Sequence, residues 1–127
     1  MGRASATSPP LARLILYVKN VPKLAQFYQR FFGLQPLPGA TPSWLELAGD
    51  APGCTIALHR TSVARKSGAA TKLVFGVVDV KAFKRAREKQ GLKFGVVHEV
   101  DGIEFCNAKD PSGNSISISS RGLKTSV

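Results

Sequence analysis

The side chains able to do chemistry in this sequence are few and do not gather in one segment. Arg13 and Lys72 stand 59 residues apart, each near the start of an apolar stretch. Two cations in one recess would clamp a carboxylate or phosphate. His59 offers the one ring type that titrates near neutral pH, and Glu46 is a carboxylate that could orient it. A lone histidine without such an acid is more often structural than catalytic. Tyr17 and Trp44 have flat faces that could stack on a planar ligand, and Ser117 adds a hydroxyl. Cys106 lies beside Phe105 with no histidine near it in sequence, so nothing activates it as a nucleophile. These residue types point to recognition of a small anionic or planar molecule, with no catalytic residues assigned.

The elements that must position them come as two copies of one unit. Leu11 to Val18 reads as a strand, Asn20 as a helix N-cap and Pro22 as a first-turn residue. Leu24, Phe27, Tyr28 and Phe31 form one apolar helical stripe that Gly33 ends. Short strands are expected at Leu34 to Leu37, Ser43 to Leu47 and Cys54 to Arg60, separated by Pro- and Gly-rich turns. The pattern then returns. Lys72 to Val77 is a strand, Asp79 an N-cap, and Val80, Phe83 and Ala86 a thinner stripe that Gly91 ends. Further strands are expected at Lys93 to Val100, Ile103 to Ala108 and Ser115 to Ser119, with turns at Asp101-Gly102 and Asp110-Pro-Ser-Gly-Asn114.

Aligning Val18 on Val77 gives an internal duplication of strand–helix–strand–strand–strand. The expected fold is α+β: two tandem βαβββ modules, at 11–60 and 71–120, form curved mixed sheets with helices outside and a concave ligand cleft. Residues 61–70 are a basic linker, 1–10 a disordered tail rather than a signal peptide, and 121–127 a C-terminal tail.

Side-chain alternation along the strands sorts the faces. Leu14, Leu16 and Val18 belong to one face of the first strand, and Arg13, Ile15 and Tyr17 to the other. The same sorting in the other strands gives Arg13, Tyr17, His59, Lys72 and Ser117 as ligand-binding candidates over an apolar floor of Ile15 and Val74. Trp44 lies on a strand whose facing the alternation does not fix.

Composition removes other classes. The chain has 127 residues and a formal charge of +10. Its longest apolar run, Leu14 to Val18, cannot span a bilayer, so no membrane partner is expected. Two cysteines cannot staple a small secreted fold. Both read as reduced and mostly buried, which places the chain in the cytoplasm. Ten basic residues against two acidic ones lie between Arg60 and Lys93. That field attracts anions, but no recognition helix or stacking aromatic pair accompanies it, so specific nucleic-acid binding is not expected.

The ordered set Leu16-Tyr-Val-Lys-Asn-Val-Pro22, Phe27-Tyr28, Phe32-Gly-Leu34, Val77-Val-Asp-Val80 and Asp110-Pro-Ser-Gly-Asn114 resembles the glyoxalase / bleomycin-resistance / extradiol-dioxygenase superfamily, the vicinal oxygen chelate fold. The resemblance implies a homodimer. In enzymes of this kind it also implies a divalent cation held by His, Gln or Glu at matching places in the paired modules. Those places fall here on Arg13, Lys72 and Ser117, with a fourth near Ala57. None is a usable ligand, so no metal or other cofactor is expected. The expected function is a metal-free protein of bleomycin-resistance type that binds a small planar or anionic molecule. A basic cleft disfavours cationic drugs. The alternative is a metal-dependent lyase, epimerase or dioxygenase with a displaced site drawn from His59, Glu46, Glu104 or His98.

Overall fold

A computed structural model describes residues 11–62 and 71–121. The expected tail at 1–10, residues 63–70 of the linker and residues 122–127 lie outside them. The elements run β1 (Arg13–Val18), α1 (Val21–Phe32), β2 (Gln35–Pro36), β3 (Trp44–Ala48), β4 (Thr55–Arg60), β5 (Lys72–Gly76), α2 (Val80–Lys89), β6 (His98–Val100), β7 (Ile103–Lys109) and β8 (Ser115–Ser119). They form two four-stranded mixed sheets ordered β1-β4-β3-β2 and β5-β8-β7-β6. In each, the first strand pairs parallel with the last, and the other pairings are antiparallel. The duplication extends to register: Ile15 lies opposite Ala57, and Val74 opposite Ser117.

Both helices begin as the sequence predicts. The Asn20 side chain accepts the Lys23 N–H, and the Asp79 side chain accepts the Ala82 N–H. Each satisfies a backbone donor that the helix itself cannot. Gly33 adopts φ +69°, a left-handed conformation open to glycine at little cost, and closes α1 with its N–H on the Gln29 carbonyl. Leu14, Leu16 and Val18 face the helices, while Ile15 and Tyr17 stay exposed on the other side.

Apolar residues of both modules merge into one core. Phe32 of α1 stacks on Phe75 of β5 at 4.0 Å between centroids. Arg30 donates to the Gln90 carbonyl at 2.9 Å, and Arg87 donates to the Phe31 carbonyl at 2.7 Å. The most buried of these cross-module links is polar. The Tyr28 hydroxyl, on a fully buried side chain, donates to Asp110 Oδ2 at 2.6 Å. Asp110 also accepts the backbone N–H groups of Ser112 and Asn114 and the Asn114 side-chain amide. The Asp-Pro-Ser-Gly-Asn segment is therefore an anchor for α1 as well as a turn. Burial, and then the adjacent Asp110 carboxylate, push the Tyr28 phenol far above its ordinary value.

Three expectations need correction. The strand expected at Lys93 to Val100 is reduced to His98–Val100. Upstream of it, the Phe94 N–H goes to the Glu88 carboxylate and the Gly95 N–H to the Asn107 carbonyl, so Leu92 and Phe94 are buried without a continuous ladder. The strand expected at Leu34 to Leu37 shrinks to Gln35–Pro36. Cys54, read as buried, is exposed because it ends a turn one residue before β4, while Cys106 is buried within β7.

Replacing Tyr28 by Phe leaves the buried Asp110 short of one donor and should cost about 1–3 kcal/mol in urea denaturation at neutral pH. The phenol's pKa rises on folding, so the stability it confers is present below the ordinary tyrosine value near 10 and is lost as pH climbs above it. The gap between wild type and Tyr28→Phe should accordingly narrow above about pH 10. A gap that does not change with pH would contradict this.

Candidate ligand-binding site

Each sheet has one face against the helices and one open. On the open face of the first sheet, β1 contributes Arg13, Ile15 and Tyr17, β4 contributes Thr55, Ala57 and His59, and β3 contributes Trp44 and Glu46. Arg13 Nε donates to Glu46 Oε2 at 3.1 Å, and the Thr55 hydroxyl donates to the same oxygen at 2.6 Å. The Thr55 hydroxyl first, and the Arg13 guanidinium second, hold the Glu46 carboxyl below the usual carboxylate range. Further along, the His59 ring lies 5.3 Å from that of Tyr17 and 5.9 Å from that of Trp44, making a row of three rings across the sheet.

The open face of the second sheet repeats the plan with different chemistry. Lys72 occupies the place of Arg13, Ser117 that of Ala57 and Asn107 that of Glu46. Lys72 Nζ donates to Asn107 Oδ1 at 3.0 Å. That contact carries the ammonium from β5 across β8 to β7, over the face rather than out from its edge. In the first sheet the corresponding cation meets a carboxylate. In the second it meets a neutral amide, which takes one of three ammonium donors and none of the charge.

The ring row changes as well. Gly76, Ser119 and Phe105 stand where Tyr17, His59 and Trp44 stand in the first sheet. A side chain is lost and a ring becomes a hydroxymethyl group, and this row borders a cavity of about 480 Å³. That volume suits a small ligand. Val74, Val100, Ile103 and Phe105 supply its apolar wall, and Ser117 and Ser119 its hydroxyls. Lys72 and Arg121 supply positive charge, and no carboxylate is among the described lining residues.

Of the five residues singled out from the sequence, Lys72 and Ser117 line this cavity together. Arg13, Tyr17 and His59 lie on the open face of the other sheet of the same chain. Glu46, considered as an orienting acid for His59, is engaged by Arg13 and Thr55, and His59 Nδ1 lies 3.0 Å from the Arg60 carbonyl. Burial pushes the Cys106 thiol up, away from the thiolate a nucleophile needs. Sequence reasoning missed Asn107 and Arg121. Arg121 continues the Ser115, Ser117, Ser119 alternation by one step, which was a usable signal. Trp44, left unassigned, faces the open side, and its neighbours Leu45 and Leu47 were the clue.

The residues that the resemblance would set around a cation, Arg13, Lys72, Ser117 and one near Ala57, do not suit a metal. Arg13 and Lys72 present only donors and positive charge, and Ala57 presents no donor atom. Among the described residues, no three His, Cys, Asp or Glu side chains gather in a metal-holding group. The residues proposed for a displaced site are otherwise placed. Glu104 pairs with Lys81 at 3.4 Å, and His98 stacks on Phe105 in the module opposite His59. No described helix is long and apolar enough to cross a membrane.

The chain is similar to a lactoylglutathione lyase from Agrobacterium tumefaciens, at 16% identity and TM-score 0.71 over 90% of this chain and 95% of that one. It is similar to a glyoxalase/bleomycin resistance protein/dioxygenase family enzyme from Burkholderia phytofirmans, at 17% identity and TM-score 0.74 over 87% and 98%. A third similar structure is TnmS3, an antibiotic binding protein from Streptomyces sp. CB03234, at 20% identity and TM-score 0.71 over 91% and 97%. No family profile and no curated protein sequence matches the chain. At these identities the likeness defines the fold, which is the two-module vicinal oxygen chelate fold.

Protein purified without chelator should carry far less than one Ni, Zn, Mn or Fe per chain by plasma mass spectrometry. A tightly held stoichiometric ion would contradict the residue assignment.

Proposed function

We propose that this protein is a metal-free small-molecule receptor that binds an anionic, partly planar ligand on the open face of its second module. One observation carries the proposal. The cation facing that cavity is held by a neutral amide, whereas its counterpart in the first module is neutralised by a carboxylate. An ammonium fixed over an apolar-walled recess, with serine hydroxyls beside it, fits a carboxylate or phosphate attached to a flat body. The antibiotic binding protein of the same fold supports binding as a use of this scaffold.

We further place the protein in the cytoplasm, in keeping with its two free cysteines. We also infer that it works as a homodimer. β1 and β5 are edge strands, and both open faces expose apolar side chains, Tyr17 at 52% and Val74 at 59%. Pairing with a second copy would let Arg13, Tyr17 and His59 join Lys72 and Ser117 around one ligand.

Titration of 2-naphthoate, followed by its own fluorescence, tests the site. Lys72→Ala should weaken binding by about tenfold or more, the cost of one charge-assisted hydrogen bond. Asn107→Asp, which copies the first module's acid into the second, should weaken it at least as much while the thermal midpoint moves little. Undiminished affinity in both variants would remove the second cup as the site.

A further inference from the structure

Arg121 lies two residues past the end of β8, yet the chain fixes it there. Ser120 is fully buried. Its N–H donates to the Glu104 carbonyl at 3.0 Å, and its hydroxyl accepts the Glu104 N–H at 3.1 Å. The Arg121 N–H then donates to the Ser119 hydroxyl at 3.1 Å, turning the residue back to line the cavity. The cavity therefore has a cation toward each end. Lys72 sits level with Ser115, and Arg121 beyond Ser119. The Lys72 ammonium, however, reaches Asn107, level with Ser117, so two strand residues separate it from the Ser119 end where Arg121 enters, about 7 Å at a rise of roughly 3.3 Å per residue. Val74 is level with Ser117 and Phe105 with Ser119, and Ile103 lines the cavity beyond them.

From this arrangement we infer that the ligand carries two acidic groups on a flat apolar spacer, as an aromatic dicarboxylate does. The inference rests on the second cup being an anion site. Lys72 takes the first acid as a point charge. Arg121 takes the second with a planar fork of donors that matches a carboxylate two-for-two. A ligand with one acid would engage one of these cations and leave the other to solvent.

The full chain is titrated in parallel with 2-naphthoate and 2,6-naphthalenedicarboxylate. The diacid is expected to bind about tenfold more tightly or better, with a steeper loss as salt is raised. Arg121→Gln, which keeps the stem and removes the charge, should bring the diacid-to-monoacid affinity ratio close to one. If wild type binds both acids equally and Lys72→Ala weakens both, the anion site stands and the second acid is ruled out. A ratio that survives Arg121→Gln also rules out Arg121 as the second contact. If neither acid binds, both readings fall together.

Discussion

One helix can cover one face of a four-stranded sheet, and each module of this protein has one helix. The other face of each sheet must therefore remain open, and the duplication produces two such faces in one chain. This constraint explains the strand chemistry. Residues toward the helix are mostly apolar, as in Leu14, Leu16 and Val18, while residues on the open side need only stay soluble and are free to change.

The two open faces have diverged along two physical axes. Charge is the first: an arginine–glutamate pair in one module corresponds to a lysine–asparagine pair in the other. Space is the second, since three rings in a row are answered by a glycine, a serine and a phenylalanine. Losing a carboxylate leaves positive charge in a partly apolar recess, where it is worth more than on a flat wet surface. Losing ring volume makes room beside that charge. Either change alone would leave a weak site, but together they give a cavity with a fixed cation. The rest of the molecule keeps the two modules in register, through the Tyr28–Asp110 bond and the stacking of Phe32 on Phe75.

Much of this was legible in the sequence because a strand's period of two is hard to disguise. The alternation of β1, β5 and β8 gave the open-face residues correctly, and the caps Asn20 and Asp79 set both helix starts. What stayed hidden depended on pairing between strands. Nothing along the chain shows that Asn107 meets Lys72 or that Glu46 meets Arg13, since each contact crosses an intervening strand. The anchoring role of Asp110 was hidden because the same five residues make an adequate turn by themselves. The stretch 93–97 alternates like a strand, but its donors go to a side chain and a single carbonyl, which no periodicity reveals.

The most direct measurement is a crystal structure with 6-bromo-2-naphthoate, in which the bromine locates the ligand by anomalous scattering. The carboxylate is expected within hydrogen-bond distance of Lys72 Nζ, with the rings lying between Val74 and Phe105. Bromine density over the Tyr17, His59 and Trp44 rings, with the second cup empty, would contradict the division of roles between the two modules.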